Sequence, residues 1–486
     1  MNQTRTPLTR RDVLRGSLYA GAAMTLPHWA KAAGANGDIR VAVIGFNGRG
    51  SGHIGELTGS KVTGVRLVAL CDVDSAVMEK HVAALDKKGI KVKSYTDYRK
   101  LLEDKDIDAV TIATPNHTHT LIALSALAAG KHVYVEKPVC HNLYEGAELM
   151  KAGLAVEGKL ILQHGMQRRS DLGWAAAVDY VNSGALGKLV LSRGTNYKPR
   201  KSIGKVTAPK EAPATVDYNL WSGPRPVAPI MREKFHYDWH WQWAYGNGDI
   251  GNQGPHQLDV ARWALGNPEA LPSRVMSFGS RWGYEDDGQT ANNQMALYDY
   301  GKGKVPMLFD NRGLPKANMD WGKGGKEGGT PVYYVSGQGK GGSTQIGNVF
   351  HCENGYVAES KAYDNDGKMI QKFEILDGPN HMANFITSIR DSKRVNPNMH
   401  ISHGFHCACL AHLANVSYRL GKKVSPGEIK ERLQGDKYAT ETFENFIANL
   451  TANQIDVNAQ LPSLGPWLSF NHQTMKFEGE FAEEAN

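Results

Sequence analysis

Several residues in this chain are spaced for chemistry on a small polar molecule. Lys137 follows directly on the apolar run His132 to Val135 and on Glu136, so its ammonium is fixed at a strand end. An ammonium held there can hydrogen-bond a reacting hydroxyl, lower its pKa and favour alkoxide character as a hydride leaves. A surface lysine is the ordinary alternative. His256 stands at the start of an amphipathic segment, Gln257 to Leu265. An imidazole accepts a hydroxyl proton near neutral pH, although a lone histidine also serves as a helix cap or a core residue. Asp72 ends the strand-like run from Val65, where a carboxylate can take the paired hydroxyls of a ribose. Upstream, the β-branched run Ile39 to Ile44 breaks into Gly45-Phe46-Asn47-Gly48-Arg49-Gly50. That is a strand-to-helix turn able to seat a pyrophosphate on unpaired backbone N–H groups at a positive dipole end. Asn47 stands where the G-x-G-x-x-G fingerprint has its middle glycine, and Asn tolerates left-handed backbone better than most residues.

The elements that must position these groups alternate between strand and helix. Strands are predicted at 39–44, 65–70, 109–113, 132–135 and 160–163, with helices at Asp74–Leu85, His119–Ala129 and Glu145–Leu154. That pattern predicts a Rossmann dinucleotide-binding domain over 38–166, a doubly wound α/β sheet. Ligands of such sheets collect at strand C-termini, where Gly45, Asp72, Thr114 and Glu136 lie. Beyond about Gln167, helix Trp174–Asn182 leads into strand Leu189–Gly194. Further strands are predicted near 275–281, 293–299, 305–309, 332–336 and 349–352. Runs of strands with few crossovers predict an α+β substrate and oligomerisation domain, 167–424, with a large mostly antiparallel open sheet. The stretch 301–347 is rich in Gly and Lys and reads as long hairpin loops, with a mobile substrate lid as the alternative. Residues 425–486 read as a C-terminal extension carrying helix Thr440–Leu450 and an irregular tail, a surface wrap or oligomer contact.

Three motifs, Ala113-Thr-Pro-Asn-His-Thr-His119, Glu136-Lys137-Pro138 and Gly254-Pro-His256-Gln-Leu-Asp259, resemble the signature series of the Gfo/Idh/MocA oxidoreductases. The resemblance runs from about Asp38 to Lys422. It implies that Lys137 is the catalytic lysine and His256 the acid–base residue. It further implies NAD, or NADP, held by Gly45, Asn47, Gly48, Arg49, Gly50, Asp72, Thr114, Pro115, Asn116, His119, Glu136 and Lys137. Asp72 favours NAD because its charge repels a 2′-phosphate; Arg49 keeps NADP open, since a guanidinium pairs with that phosphate. Related enzymes often carry an Asp four residues before the histidine. Here that position is Asn252, and Asp249 and Asp259 are the nearby carboxylates.

Aromatic density points to the substrate. Phe235 to Trp243 holds Trp239, Trp241 and Trp243, and Tyr218 and Trp221 lie a little upstream. Flat apolar faces beside polar side chains suit a sugar or cyclitol; core packing or a subunit interface is the alternative, with equal weight for Trp221. Trp239, Trp241, Tyr218, Trp221, Asn252 and Asp259 are the expected substrate contacts. The expectation is an NAD(P)-dependent oxidoreductase, with tightly held cofactor, acting on a secondary alcohol of a sugar, glycoside or cyclitol. The alternatives are an NAD-dependent glycoside hydrolase working by transient oxidation and elimination, and a non-catalytic NAD-dependent sugar-binding protein.

The N-terminus reads as an address. Thr9-Arg10-Arg11, a short apolar stretch from Gly16 to Leu26 and Ala30-Lys31-Ala32 match a twin-arginine export signal over 1–32, predicting a periplasmic protein. Arg5, Arg10, Arg11, Arg15 and Lys31 against Asp12 supply four of the seven net positive charges, leaving +3 for the remainder. That balance, without a basic stripe, argues against a nucleic-acid partner. No later stretch is apolar enough for a membrane span. A homo-oligomer, dimer or tetramer, is expected. Five cysteines do not make a disulfide framework. His403, His406, Cys407, Cys409 and His412 would split between opposite faces of a helix, a poor tetrahedral site, so no metal is expected.

Overall fold

The computed structural model describes residues 37–314, 326–327, 330–331, 345–358, 360–374, 380–392 and 395–486. The expected export signal, the strand expected near 332–336 and most of the glycine-rich stretch lie outside those residues.

Six short strands build the first sheet: β1 (Ile39–Ile44), β2 (Val65–Cys71), β3 (Lys93–Tyr95), β4 (Ala109–Ile112), β5 (His132–Val135) and β6 (Leu162–His164). They pair in parallel in the order β3-β2-β1-β4-β5-β6. The order reverses between β1 and β4, which opens a crevice at their C-terminal ends. The crossovers are α1 (Arg49–Leu57), α2 (Ser75–Asp86), α3 (Tyr98–Glu103), α4 (Asn116–Ala128) and α5 (Leu143–Ala155). Asp74, Asp97 and Asn142 cap α2, α3 and α5 by accepting from backbone N–H groups of the first turn. Helices on both faces explain why β1, β2, β4 and β5 are largely apolar runs rather than alternating ones. Ala42 and Ile44 enter one core, Val41 and Val43 the other. β3 escaped the sequence reading because it is three residues long, polar and largely exposed.

The second half begins with α6 (Leu172–Asn182) and β7 (Leu189–Tyr197), then α7 (Gly254–Ala264), β8 (Arg274–Ser280), β9 (Asn293–Asp299) and β10 (Met307–Arg312). It continues through β11 (Gln345–Cys352), β12 (Gly355–Ala358), β13 (Lys361–Asp364), β14 (Met369–Lys372), α8 (His381–Thr387) and α9 (Ile401–Arg419). The chain closes with β15 (Lys422–Lys423), α10 (Lys437–Ala452), β16 (Ser463–Leu464), β17 (Leu468–Asn471) and β18 (Lys476–Glu478). A 12-stranded sheet results, ordered β14-β13-β12-β11-β7-β10-β9-β8-β16-β15, with β17 also on β8 and β18 on β17. The β7–β10 pair is parallel and the other pairs are antiparallel.

Two late helices join the halves. α8 sends Met382, Phe385 and Ile386 into the core over Val41 and Val43. α9 lies between the sheets: Ile401 and Ala408 join the first-sheet core, while Phe405, Cys407, Cys409, Leu410 and Leu413 join the second. A helix packed on several sides has no polar face, which is why its histidines and cysteines looked like a cluster. Cys409 and His412 both meet Cys140, with His412 Nε2 3.2 Å from Cys140 O, while the others are engaged apart from them. The Cys407 thiol donates to Pro255 O at 2.8 Å, and His406 lies between the carbonyls of Ser402 and Glu269, at 2.6 Å from each. Among the described residues no group of three or more His, Cys, Asp or Glu is arranged to hold a metal ion, and no helix is long and apolar enough to cross a membrane.

The segment 425–486, set apart in the sequence as an extension with an irregular tail, adds strands to the large sheet and a helix to its face. β16 and β17 hydrogen-bond to β8, and α10 packs Ala439 and Phe443 against Met276, Phe278 and Leu297. Phe278 and Phe443 meet edge to face at 5.5 Å. Phe443→Ala should therefore lower stability by about 3–5 kcal/mol in chemical denaturation, the loss expected of a core aromatic. A mere surface wrap would give a change of about 0.5 kcal/mol or less.

Candidate active site

A cavity of about 560 Å³ runs along the C-terminal ends of β1, β2, β4 and β5. Its walls include Gly45, Asn47, Gly48, Arg49, Asp72, Thr114, Pro115, Asn116, His119, Glu136, Lys137 and Asn252. Eleven of the twelve expected cofactor contacts thus line one space; Gly50 stands just behind it. The turn after β1 is shaped by close approach. Gly45 has φ +77°, and a Cβ there would meet Thr114 Cγ2 at 2.6 Å, while one on Gly50 would fall 1.9 Å from Gly45 O. At Gly48, by contrast, a Cβ would meet nothing within 4 Å, so the open side of the turn faces the cavity. Among the described residues no side chain caps the N-terminus of α1, and none partners the buried Asn116 Nδ2. A helix start with free polarity, a carboxylate at the end of β2 and an orphaned amide fit a dinucleotide.

Glu136 organises the reacting end. Its Oε1 accepts from Arg49 Nε at 2.9 Å, His53 Nε2 at 3.1 Å and Gln167 Nε2 at 2.9 Å, and its Oε2 from the Lys137 backbone N–H at 3.1 Å. Burial alone would raise its pKa, but the hydrogen bond and charge of His53, then Arg49 and Lys137, hold the carboxyl well below its ordinary value. Arg49 is therefore committed to Glu136, and to Glu56 at 3.2 Å, rather than left for a 2′-phosphate. Lys137 Nζ donates to Asn252 O at 2.6 Å, with Asn252 Oδ1 at 3.4 Å. Burial pushes this ammonium down to about 8; Glu136 opposes the shift, and Arg200 and Lys198 add to it.

Across the groove lies residues 198–247, a long arm between β7 and α7. It bonds to the β2 end through Ser75 N to Thr215 O and Asp217 N to Val73 O, both 2.9 Å, and through the His236–Asp74 pair at 2.8 Å. It bonds to α4 where His117 Nε2 donates to Trp221 O at 2.9 Å. Gly223 (φ +55°) is pressed so near α4 that a Cβ would lie 2.6 Å from Thr118 Cγ2. The arm gives the cavity Asn219, Leu220, Trp221, His236, Tyr237, Trp239 and His240.

His256 is in the first turn of α7, near enough to Lys137, Arg168, Glu136 and Arg49 for their charges to act on it; burial, then the charge of Lys137, pushes its pKa well below the ordinary value. Asp259 cannot contact substrate as expected: it is 0% exposed and taken by Arg169 at 2.7 Å. Asp249 is likewise 0% exposed and paired to Arg200 at 2.7 Å, so neither carboxylate replaces the one absent at Asn252. Trp241 and Tyr218 pack outside the cavity, Tyr218 with its hydroxyl on Ala228 O at 2.7 Å. Trp221 and Trp239 do line it. His119 is a positioning residue, with one ring nitrogen 2.7 Å from Pro138 O and the other 2.7 Å from Thr114 O. The sequence reading missed His53, Gln167 and His240; only His240 had a signal, its place within the tryptophan-rich run.

Residues 39–164 match the Gfo/Idh/MocA oxidoreductase family, NAD-binding Rossmann fold, and residues 178–306 match the same family's C-terminal alpha/beta domain. Inositol 2-dehydrogenase of Salmonella typhimurium is 34% identical over 159 residues, 33% of this chain and 46% of that protein. Levoglucosan dehydrogenase of Pseudarthrobacter phenanthrenivorans is 31% identical over 180 residues, 37% of this chain and 38% of that protein. The matches thus span less than half the length of these curated relatives. Myo-inositol dehydrogenase from Lactobacillus casei, solved with NAD(H) and myo-inositol, shares the fold: TM-score 0.53 at 19% identity, covering 79% of this chain and 95% of that one.

With Asp72 at the end of β2 and Arg49 held by Glu136, cofactor-free protein should bind NAD at least tenfold more tightly than NADP in calorimetric titration. Asp72→Ala should shrink that preference. Equal affinities in the unaltered protein would show that the 2′-phosphate finds a cation elsewhere.

Proposed function

The chain belongs to the Gfo/Idh/MocA oxidoreductase family, and we propose that it moves a hydride between NAD and a secondary alcohol of a sugar, glycoside or cyclitol. The observation that carries this reading is Lys137, a half-buried ammonium with its pKa lowered to about 8, in the wall of a dinucleotide-sized cavity. The nicotinamide, when bound, supplies the hydride acceptor. The groups that would hold the cofactor are the turn Gly45–Gly50, Asp72, Asn116 and the loop Thr114–Pro115. Lys137 does the proton work. As the neutral amine it takes the hydroxyl proton in the oxidising direction; as the ammonium it returns it in the reducing direction. Asn252 O orients Nζ, and Glu136 keeps Arg49 and the Lys137 backbone in place. Myo-inositol and levoglucosan, ligand and substrate of relatives by name, are the first compounds to try.

The pH dependence follows from the sign of the shift. The neutral amine forms as pH rises through about 8, so kcat/KM for alcohol oxidation should climb through that value and level off. Ketone reduction should fall over the same window. Lys137→Ala should lose roughly a hundredfold or more in turnover while still binding nucleotide. A keto product confirmed by mass spectrometry marks the dehydrogenase, whereas release of an unoxidised sugar would mark the redox-assisted glycosidase. A profile flat between pH 6 and 10 (roughly two units either side, where Brønsted behaviour must show) would remove Lys137 from the proton path.

The proposed setting is the periplasm, with the cofactor loaded before export and kept. Arg10-Arg11 and the apolar stretch after them support the address; the arm 198–247, bonded to β2 and α4 on the far side of the groove, supports retention. Protein recovered from the periplasm should keep most of its nucleotide through long dialysis, and Arg10→Lys with Arg11→Lys should leave it in the cytoplasm. Loss of the nucleotide with activity restored only by added NAD would overturn retention.

A further inference from the structure

Three imidazoles line the cavity: His119, His236 and His240. His119 has both ring nitrogens on backbone carbonyls, and His236 is paired with Asp74 at the β2 end. His240 differs. Its Nδ1 lies 2.6 Å from Tyr237 O; a carbonyl only accepts, so Nδ1 carries the hydrogen and Nε2 of the neutral ring carries a lone pair. Among the described residues Nε2 has no protein partner. The ring lies flat on Trp239, centroids 3.7 Å apart and planes 18° from parallel, which fixes its orientation. Burial, then the charges of Lys137 and Arg200, pushes its pKa down to about 3. The ring therefore stays neutral wherever an enzyme of this kind works.

Proton affinity decides what such a group can do. The reacting hydroxyl needs a base able to hold its proton, and Lys137 is far better matched to that task. A ring this weakly basic can accept a hydrogen bond without taking the proton. Left facing a substrate with no donor, its lone pair would be desolvated and unpaired, and a site built for a hydroxyl discriminates strongly against the analogue lacking it.

On the reading that this enzyme oxidises a polyol, we propose that His240 is a specificity-determining residue whose Nε2 accepts a hydrogen bond from a second substrate hydroxyl, one other than that handled by Lys137. The stacked Trp239–His240 pair then selects diols over isolated alcohols.

The test uses the full chain loaded with NAD, and His240→Phe, which keeps a ring on Trp239 and removes the acceptor. With myo-inositol and its monodeoxy derivatives, the variant should raise KM roughly ten- to a hundredfold, with the loss falling on KM rather than kcat. Nucleotide affinity should not change. One deoxy derivative, lacking the paired hydroxyl, should be handled equally by both proteins. Equal loss across the whole series, or none, would overturn the proposal. A second measurement stands apart from turnover: ¹⁵N NMR of the ring should show the Nδ1–H tautomer with Nε2 bare down to about pH 5, where a ring so far below the reference histidine value stays neutral. The Nε2 signal should also shift when myo-inositol is added. An Nε2–H tautomer, or no shift at saturating myo-inositol, would sink the proposal even in a protein that oxidises polyols well. Absence of any oxidation by the unaltered protein would instead count against the hydride-transfer reading.

Discussion

One buried carboxylate holds the reacting end together. Glu136 is 3% exposed and collects donors from α1, from the turn after β6 and from its own strand end. An ionised carboxylate so deep in protein would cost several kcal/mol or more if left unpaired, so every partner is needed. The arrangement does more than neutralise a charge. It fixes Arg49, the first residue of α1, to the same point as the backbone of Lys137. The parts of the groove proposed for pyrophosphate and for proton transfer are thereby tied by a single side chain.

A second constraint is the position of α9 between two sheets. With Ile401 and Ala408 in one core and Leu410 and Leu413 in the other, the helix makes the halves one packed body. The Arg169–Asp259 pair, 0% exposed on both sides, ties the turn after β6 to α7 and is hard to break, since removing one partner would strand a buried charge. The arm 198–247, which borders the groove, is tied to the first sheet by its hydrogen bonds at the β2 end and at α4.

The first sheet was legible because its strands are β-branched runs ended by glycine or a polar turn; β1 and β5 have the predicted bounds, and only the short polar β3 escaped. The cofactor wall was legible for the same reason, since the C-terminal ends of parallel strands must face one crevice. The substrate side was harder to read. Asp259 lies on a helix that is buried on nearly every side, and periodicity cannot say that an arginine ninety residues earlier in the chain will claim it. Trp239 and Trp241 are two residues apart, yet only one faces the cavity, because the short 3₁₀ turn Asp238–Trp241 sends them in different directions. The late strands β15 to β18 are two to four residues long, and β16 and β17 take their pairing from β8, a partner remote in sequence. Local pattern carries no trace of them.

The amine of Lys137 belongs to the first domain, and the carbonyl it donates to, Asn252 O, belongs to the second. Burial, the first cause of its lowered pKa, outweighs that hydrogen bond, since a carbonyl acceptor favours the ammonium. Water entering between the halves would resolvate the ammonium and return it toward the ordinary value of 10.5. On the proposed proton role, the lysine would report dryness: where water reaches it the ammonium persists, and a site shut to water gives the base. Excluding water and freeing the amine would then be one event.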